Sequence, residues 1–312
     1  MPLRVPPGAL GIFYRATAWC RLRNLLLRER DLTVLLLDGY NLLYRAFTSL
    51  PSAIVGSDGR PINAVYGLLT SLLRYMRETQ SDRMVLALDS PDVPTFRHER
   101  YPAYQGHRGP LGGDNAPDFA RQVRIAADVA PGLGIVTLSQ PGFEADDIMG
   151  SCGVKLADSG EMALVVSTDR DLLQLVRPGI DVLSPGNPPI RAHAASDVID
   201  RLGVPPEGIT TYKALAGDAS DNIPGVKGIG AKTAVSLVTQ YGSLEEIYAH
   251  LDDLAPATRQ KLEAGLSDAF LFRDVVTVVT SLDIPLDTIC SSHVSFGPED
   301  KARDLLKRFG YG

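Results

Sequence analysis

Three short apolar segments of the chain each end in an aspartate. The segments are LTVLLLD (32–38), RMVLALD (83–89) and ALVVSTD (163–169). Runs of this length and composition are typical of strands buried on both faces of a sheet. Between them, apolar residues recur at helical spacing over 62–78, 118–130 and 144–160. The alternation predicts the α/β fold class, with a parallel sheet covered by helices.

The pattern changes after about residue 192, where short helical pieces punctuated by glycine replace the strand runs. We therefore predict an α/β domain over 32–192 and a helical region over 193–312. Residues 1–31 carry six arginines, three of which interrupt the apolar stretch that a signal peptide would need. We expect a loosely docked or disordered N-terminal extension there. No run of 18 apolar residues exists, so no membrane span is expected.

Carboxylates gather at the predicted strand ends and in two further segments. They are Asp38, Asp89, Glu144, Asp146, Asp147, Asp169, Asp171, Asp218 and Asp221. The carboxyl ends of parallel strands share one edge of the sheet, so we expect the acids to converge. Asp169 and Asp171 would point the same way if extended, and Asp218 and Asp221 if helical. Helix capping explains one or two acids of GFEADD, but three acids within four residues repel one another without a cation.

All-oxygen ligands select hard cations, here Mg²⁺ or Mn²⁺. Nine carboxylates are too many for one ion, so we expect two or more. Two ions about 4 Å apart suit in-line phosphodiester cleavage, in which one activates a water and the other stabilises the leaving oxygen.

The stretch GDASDNIPGVKGIGAKTA (217–234) continues from acids into glycines and lysines. A P-loop does not fit, because Ala231 separates Gly230 from Lys232 and no strand precedes the segment. We predict a hairpin between two short helices, whose amides and lysines approach a phosphate backbone without reading bases. A glycine-rich turn without a ligand is the alternative.

The net charge of −6 argues by itself against a nucleic-acid partner. If cations balance the nine acids, 28 of the 37 acidic residues remain against 31 basic ones, and the objection weakens. The three cysteines are scattered and form no zinc pattern, which favours a reducing compartment and hence the cytoplasm.

At these residues the sequence resembles the bacterial 5′→3′ exonuclease/flap endonuclease family, in a stand-alone form of the 5′-nuclease domain of DNA polymerase I. The matching motifs are LLLDGYNLLYRAF (35–47), AVYGLLTSLL (64–73), LALDSPDVPTFRHERYPAY (86–104), GFEADD (142–147), STDRDLLQLV (167–176) and GDASDNIPGVKGIGAKTA (217–234). The resemblance implies a PIN-like parallel-sheet nuclease core with a helical arch over 32–192. It also implies a helix–three-turn–helix region in 193–312, where the family often holds a K⁺ ion.

By motif match, all nine acids fall on the family's metal-binding positions. The resemblance places Asp38, Asp89, Arg45 and Arg97 at the reaction centre. It implies DNA contacts by Tyr44, Arg45, Arg97, Arg100, Tyr104, Arg108, Gly225, Lys227, Gly228, Gly230 and Lys232. One position departs from the pattern, because Gln105 stands where the family usually has a lysine after the arch tyrosine. We expect slower turnover or an altered preference among substrate ends from this change.

The resulting hypothesis is a metal-dependent, structure-specific 5′→3′ exonuclease and flap endonuclease that serves primer removal and DNA repair. Its partners would be DNA with 5′ flaps, nicks or recessed 5′ ends, and a monomer is expected. A catalytically weak or inactive DNA-structure-binding paralogue is the alternative, which Gln105 favours. A PIN-type ribonuclease is a third reading.

Overall fold

The computed structural model describes residues 33–90, 93–109, 113–186 and 191–311, so the expectation for residues 1–31 lies outside the described residues. Six strands form one sheet in the order β3-β2-β1-β4-β5-β6. They are β1 (Thr33–Asp38), β2 (Arg83–Ala87), β3 (Val136–Leu138), β4 (Met162–Val166), β5 (Ile180–Ser184) and β6 (Arg191–His193). β1 to β5 pair in parallel and β6 pairs antiparallel to β5. The predicted α/β class with a parallel sheet is confirmed.

The helices are grouped here by their position before or after residue 193. The α/β part holds α1 (Gly39–Ser49), α2 (Asn63–Thr79), α3 (Phe96–Arg100), α4 (Ala116–Gly132) and α5 (Ala145–Asp158). The second part holds α6 (Ala195–Leu202), α7 (Ile209–Ala216), α8 (Ala231–Tyr241), α9 (Leu244–Ala249), α10 (Pro256–Ala264), α11 (Leu266–Val276), α12 (Leu286–Ser291) and α13 (Ala302–Arg308). Where the arch was expected to begin, the described residues 93–109 form only the short α3 and the turns that follow it.

The central strand β1 explains why the sheet is covered on both faces. Its side chains alternate, so Leu35 and Leu37 pack into one apolar core while Val34 and Leu36 pack into another. All four are fully buried. Residues 34–37 therefore form a continuous apolar run, and Asp38 follows it at the carboxyl end of the strand, where the chain turns into α1.

The helical part has its own apolar core, but the last segment of the chain leaves it. Phe296, Leu305 and Leu306 pack into the core that contains α2. The Val294 amide donates to the Asp82 carbonyl oxygen at 2.9 Å, and the Ser295 amide donates to the Leu133 carbonyl oxygen at 2.8 Å. The C-terminal segment thus belongs structurally to the α/β part, whereas the sequence placed it in the helical region.

No helix in the part of the chain that the structure describes has the length and apolar character that a membrane span needs.

Candidate active site

The first group of acids lies at the carboxyl edge of the sheet, with Asp38 at its centre. Asp38 is 6% exposed. One carboxylate oxygen accepts from the Asn41 amide at 3.1 Å and caps α1, and the other accepts from the Ser167 hydroxyl at 2.6 Å. Burial, together with the nearby charges of Asp89 and Asp169, raises the pKa of Asp38 to about 7. The centre thus holds excess negative charge.

The start of α5 brings further acids to the same place. Asp89 accepts from the Ala145 amide at 2.8 Å, which ties the end of the second strand segment to the first turn of the helix. Burial raises the pKa of Asp146 well above its usual range, and the charges of Asp169, Asp38, Glu144 and Asp89 add to the effect. Burial likewise raises the pKa of Glu144 to about 7. Five acids therefore share one electrostatic environment.

Asp171, Asp218 and Asp221 form a second group. One carboxylate oxygen from each residue lies within 4.8 Å of the others. Both local conformations differ from the expectation. Asp171 begins a 3₁₀ turn and its amide donates to Asp169 at 2.9 Å, so the pair is not extended. Asp218 bridges to Ile223 across a tight loop, so Asp218 and Asp221 do not share a helix. The loop itself brings them together.

A lysine that the sequence reasoning missed lies inside this second group. Lys213, in α7, is 8% exposed, and its ammonium contacts the carboxylates of Asp171 and Asp218. Burial alone would raise the pKa of Asp218, but Lys213 and the Ser220 hydrogen bonds hold it below its usual range. Lys213 lies five positions before Asp218 in a helical segment that ends at the acidic motif, and this proximity was the only signal in the sequence.

Asp147 and Arg97 are both buried, which corrects two expectations. The guanidinium of Arg97 donates to the two Asp147 oxygens at 2.7 and 2.8 Å, with exposures of 3% and 0% for the two residues. Arg97 also donates to the carbonyl oxygens of Val275 and Thr277, and Asp147 accepts from the Val279 amide. With its oxygens used in this way, Asp147 does not face the other acids as a metal ligand. Arg97 has no accessible surface for DNA and serves the packing of the site.

The other residues near the arch that were predicted to contact DNA differ in their exposure. Tyr104 is 4% exposed and its hydroxyl donates to Glu144 at 3.2 Å, so its ring is not free to stack on a base. Arg100 is exposed and pairs with Asp274 at 2.8 Å. Arg108 is exposed and donates to the Ser220 carbonyl oxygen and to Asp221, each at 2.8 Å. Arg108 thereby lies at the second acidic group.

Tyr44 and Arg45 project from the exposed side of α1. Tyr44 is 37% exposed, and its ring meets the edge of Phe119 at a centroid distance of 5.7 Å. The Arg45 guanidinium lies 3.5 Å from the Pro185 carbonyl oxygen and is exposed. Both side chains are therefore reachable from solvent.

The glycine-rich hairpin connects α7 to α8, as the sequence predicted. Gly225 is buried at φ +68°, where an added Cβ would lie 2.4 Å from the Gly217 nitrogen. Lys227, Gly228, Gly230 and Lys232 are all exposed, and Gly230 precedes the first turn of α8. Lys261, which the sequence reasoning missed, donates to the Gly228 carbonyl oxygen at 3.1 Å. The hairpin thus presents amides and positive charge together.

A cavity of about 540 Å³ joins the acids to basic groups. Arg108, Arg170 and Lys213 line it together with Asp169, Asp171 and Asp218. Asn41 and Thr168 also line it and bond to each other, since the Asn41 amide donates to the Thr168 hydroxyl at 2.8 Å. Sequence reasoning missed Arg170, Asn41 and Thr168, whose residue types are common in loops. A site of this composition can bind cations and an anionic group side by side.

The fold and the acidic centre together define a nuclease class. The 5′-3′ exonuclease N-terminal resolvase-like domain matches residues 33–203, and the 5′-3′ exonuclease C-terminal SAM fold matches residues 204–296. The chain belongs to the 5′-3′ exonuclease family, enzymes that hydrolyse phosphodiester bonds. The resemblance found in the sequence is confirmed.

Curated relatives are DNA polymerases I. The thermostable enzyme of Thermus thermophilus is 41% identical over 254 residues, and the Mycobacterium tuberculosis enzyme is 36% identical over 258 residues. Each match covers 81% of this chain but 29% and 28% of the relative. The chain therefore spans less than a third of the length of these relatives.

Solved structures show the same fold at low identity. T5 5′-exonuclease with bound divalent zinc ions superposes with a TM-score of 0.65 at 21% identity, covering 88% of this chain and 98% of that one. The catalytic core of Rad2 in complex with DNA substrate gives a TM-score of 0.54 at 15% identity, covering 91% and 88%. The match runs through both the α/β part and the helical part.

Proposed function

We propose that the chain is a structure-specific 5′→3′ exonuclease and flap endonuclease that hydrolyses DNA with two or more divalent ions, in primer removal and DNA repair. The observation that carries the proposal is one cavity at which an acid of the first group, Asp169, and two of the second lie beside basic side chains. The two are Asp171 and Asp218, and the basic side chains are Arg108, Arg170 and Lys213. A phosphodiester needs cations at the scissile phosphate and hydrogen-bond donors at its neighbours, and the family matched by the chain performs this class of reaction.

The donor chemistry fits Mg²⁺ or Mn²⁺. Burial raises the pKa values of the carboxylates of Asp38, Asp146 and Glu144, and the negative charges of neighbouring acids add to the effect. Asp171 and Asp218 already hold one cation, the Lys213 ammonium. Asp38, Asp89, Glu144, Asp146 and Asp169 would hold one ion, and Asp171, Asp218 and Asp221 another. Bound ions of this kind lower the pKa of water and neutralise charge on a phosphate.

The chain's own side chains would place the substrate. Arg108 and Arg170 line the cavity and are exposed, so they can meet phosphate oxygens beside the acids. Tyr44 and Arg45 are also exposed, and they would contact the substrate from α1. The hairpin amides at Gly228 and Gly230, with Lys227 and Lys232, would grip the duplex backbone away from the cut. K⁺ at this hairpin remains a prediction.

The preferred partner is DNA with a 5′ flap, a nick or a recessed 5′ end, bound by a monomer in the cytoplasm. The DNA complex of Rad2 supports a DNA ligand for this fold. The hairpin, which meets phosphates rather than bases, supports recognition of structure rather than sequence. This grip on a duplex also favours DNA over the single-stranded RNA of a PIN-type ribonuclease.

The test is cleavage of a flap duplex labelled separately at its 5′ end and at its 3′ end. With Mn²⁺ or Mg²⁺ we expect 5′ mono- and oligonucleotides, and with EDTA none. Asp146→Asn should abolish cleavage without preventing flap binding. Flap binding with no cleavage by the wild-type chain would instead support the inactive paralogue. Faster cutting of a matched RNA flap would support the ribonuclease.

A further inference from the structure

The turn after α3 is hydrogen-bonded to the loop that carries Asp218 and Asp221. The Gln105 amide nitrogen donates to the Asp221 carbonyl oxygen at 3.0 Å. From the loop side, the Asn222 side chain donates to the Ala103 carbonyl oxygen at 2.7 Å, and the Tyr101 hydroxyl donates to the Asn222 carbonyl oxygen at 3.2 Å. The base of the arch and the acidic loop are therefore one assembled unit.

Two strained residues face each other across this junction. Gln105 has φ +52° and Asn222 has φ +59°, a left-handed region that is costly for a residue with a side chain. Such conformations persist where surrounding contacts over-determine them, and they cluster at functional sites. Here each of the two residues makes backbone and side-chain hydrogen bonds across the junction.

The side-chain amide of Gln105 donates a hydrogen bond to the second acidic group. The nitrogen donates to the Tyr104 hydroxyl at 2.9 Å and to Asp221 Oδ1 at 2.9 Å. Arg108 donates to the same oxygen of Asp221 at 2.8 Å. Neither contact engages Oδ2. Asp221 is 6% exposed, so its orientation depends on these donors.

The charges around the second acidic group nearly cancel. Three carboxylates, those of Asp171, Asp218 and Asp221, face the cations Lys213 and Arg108, which leaves one uncompensated negative charge. A lysine at position 105 would cancel that charge. Gln105 makes the hydrogen bond without adding a cation.

We propose that Gln105 is a positioning residue that orients Asp221 for a divalent cation and, because it is neutral, preserves the charge that attracts the ion. The inference rests on the proposed function for the identity of the site, but it concerns binding rather than cleavage. The hydrogen bond and the neutrality of Gln105 would then help to determine the metal affinity of this chain.

The test is direct Mn²⁺ binding to the full chain without DNA. Binding is measured as the loss of the electron paramagnetic resonance signal of the free ion. Gln105→Met removes the hydrogen bond at similar length, Gln105→Lys adds a charge, and Gln105→Gly keeps the backbone contact while relieving the left-handed strain. We expect the Mn²⁺ dissociation constant of the second acidic group to rise about threefold in Gln105→Met and Gln105→Gly, and about tenfold in Gln105→Lys.

Thermal unfolding in EDTA shows which variants are folded. A Gln105→Lys dissociation constant equal to or below that of the wild type overturns the proposal. If that variant does not fold, unchanged Mn²⁺ affinity in Gln105→Met overturns it. If the wild type binds Mn²⁺ but cleaves no DNA, the proposed function is contradicted. The comparison of Mn²⁺ affinities among the variants still tests the role of Gln105 in that case.

Discussion

The ammonium of Lys213 contacts the carboxylate of Asp171, although 42 positions separate the two residues in the chain. Lys213 also contacts Asp218, so one buried cation joins the end of the β4 segment to the loop after α7. In the metal-free protein this lysine balances carboxylates that would otherwise repel one another.

Lys213→Met should therefore destabilise the metal-free protein more than the metal-bound one. Removing one partner of a buried ion pair costs about 3 kcal/mol in the free energy of unfolding, because the remaining carboxylates are left uncompensated. In saturating Mn²⁺ the loss should shrink, because the ion supplies the missing charge. Urea unfolding in EDTA and in Mn²⁺ measures both values. Lys213→Arg, which keeps the charge, is the matched control, and equal losses of the Met variant in both buffers would refute the role.

Two adjacent acids should behave in opposite ways. Asp146 shares the environment of the other carboxylates, so Asp146→Asn should weaken Mn²⁺ binding at least tenfold and leave stability in EDTA unchanged or raised. Asp147 pairs with buried Arg97, so Asp147→Asn should lower the free energy of unfolding by about 3 kcal/mol and leave the Mn²⁺ affinity of the folded protein near that of the wild type.

Calorimetric Mn²⁺ titrations and urea unfolding on both variants make the comparison. The distinction fails if Asp147→Asn loses Mn²⁺ affinity while it keeps its stability.

The sequence predicted the three central parallel strands, because their apolar runs are long enough to be recognised. Asp38 and Asp89 lie at the expected edge because these strands are parallel. The strands β3, β5 and β6 were not predicted. β3 and β6 have three residues each, and Asp181 interrupts the apolar pattern of β5.

The orientation of individual side chains could not be predicted, since distant partners fix it. In GFEADD, Asp147 turns inward because it pairs with the buried guanidinium of Arg97, 50 positions earlier in the chain. Lys213 reaches Asp171 because α7 packs against the 3₁₀ turn that begins at Asp171, a contact that local spacing does not encode.

The metal-free protein should lose stability as the pH rises from about 4.5 to about 7. The pKa values of Asp38 and Glu144 are raised from 3.8 and 4.5 to about 7 in the folded state. Between those values the folded state binds more protons than the unfolded state, so the free energy of unfolding falls with increasing pH.

Urea unfolding in EDTA at half-unit pH steps should show this slope, and Mn²⁺ should remove it. Asp38→Asn should flatten the EDTA curve. A metal-free stability that stays level or increases across this window would contradict the assignment.

Lys227 and Lys232 should contribute to duplex binding but not to the acidic centre. Replacing each with glutamine should weaken binding to a flap duplex and reduce the slope of log affinity against log salt by about one per lysine. Fluorescence anisotropy at several salt concentrations in EDTA measures this slope. Lys301→Gln, at an exposed lysine of the C-terminal segment, is the matched control. Unchanged slopes in the hairpin variants would remove the hairpin from the DNA interface.

The most direct test of the account is anomalous diffraction at the manganese edge from crystals of the chain grown with Mn²⁺. We predict anomalous peaks at two positions. One lies among Asp38, Asp89, Glu144, Asp146 and Asp169, and the other lies among Asp171, Asp218 and Asp221 with the Lys213 ammonium displaced. Crystals in saturating Mn²⁺ that show no peak at either group of carboxylates would contradict the central claim that these acids are built to share divalent cations.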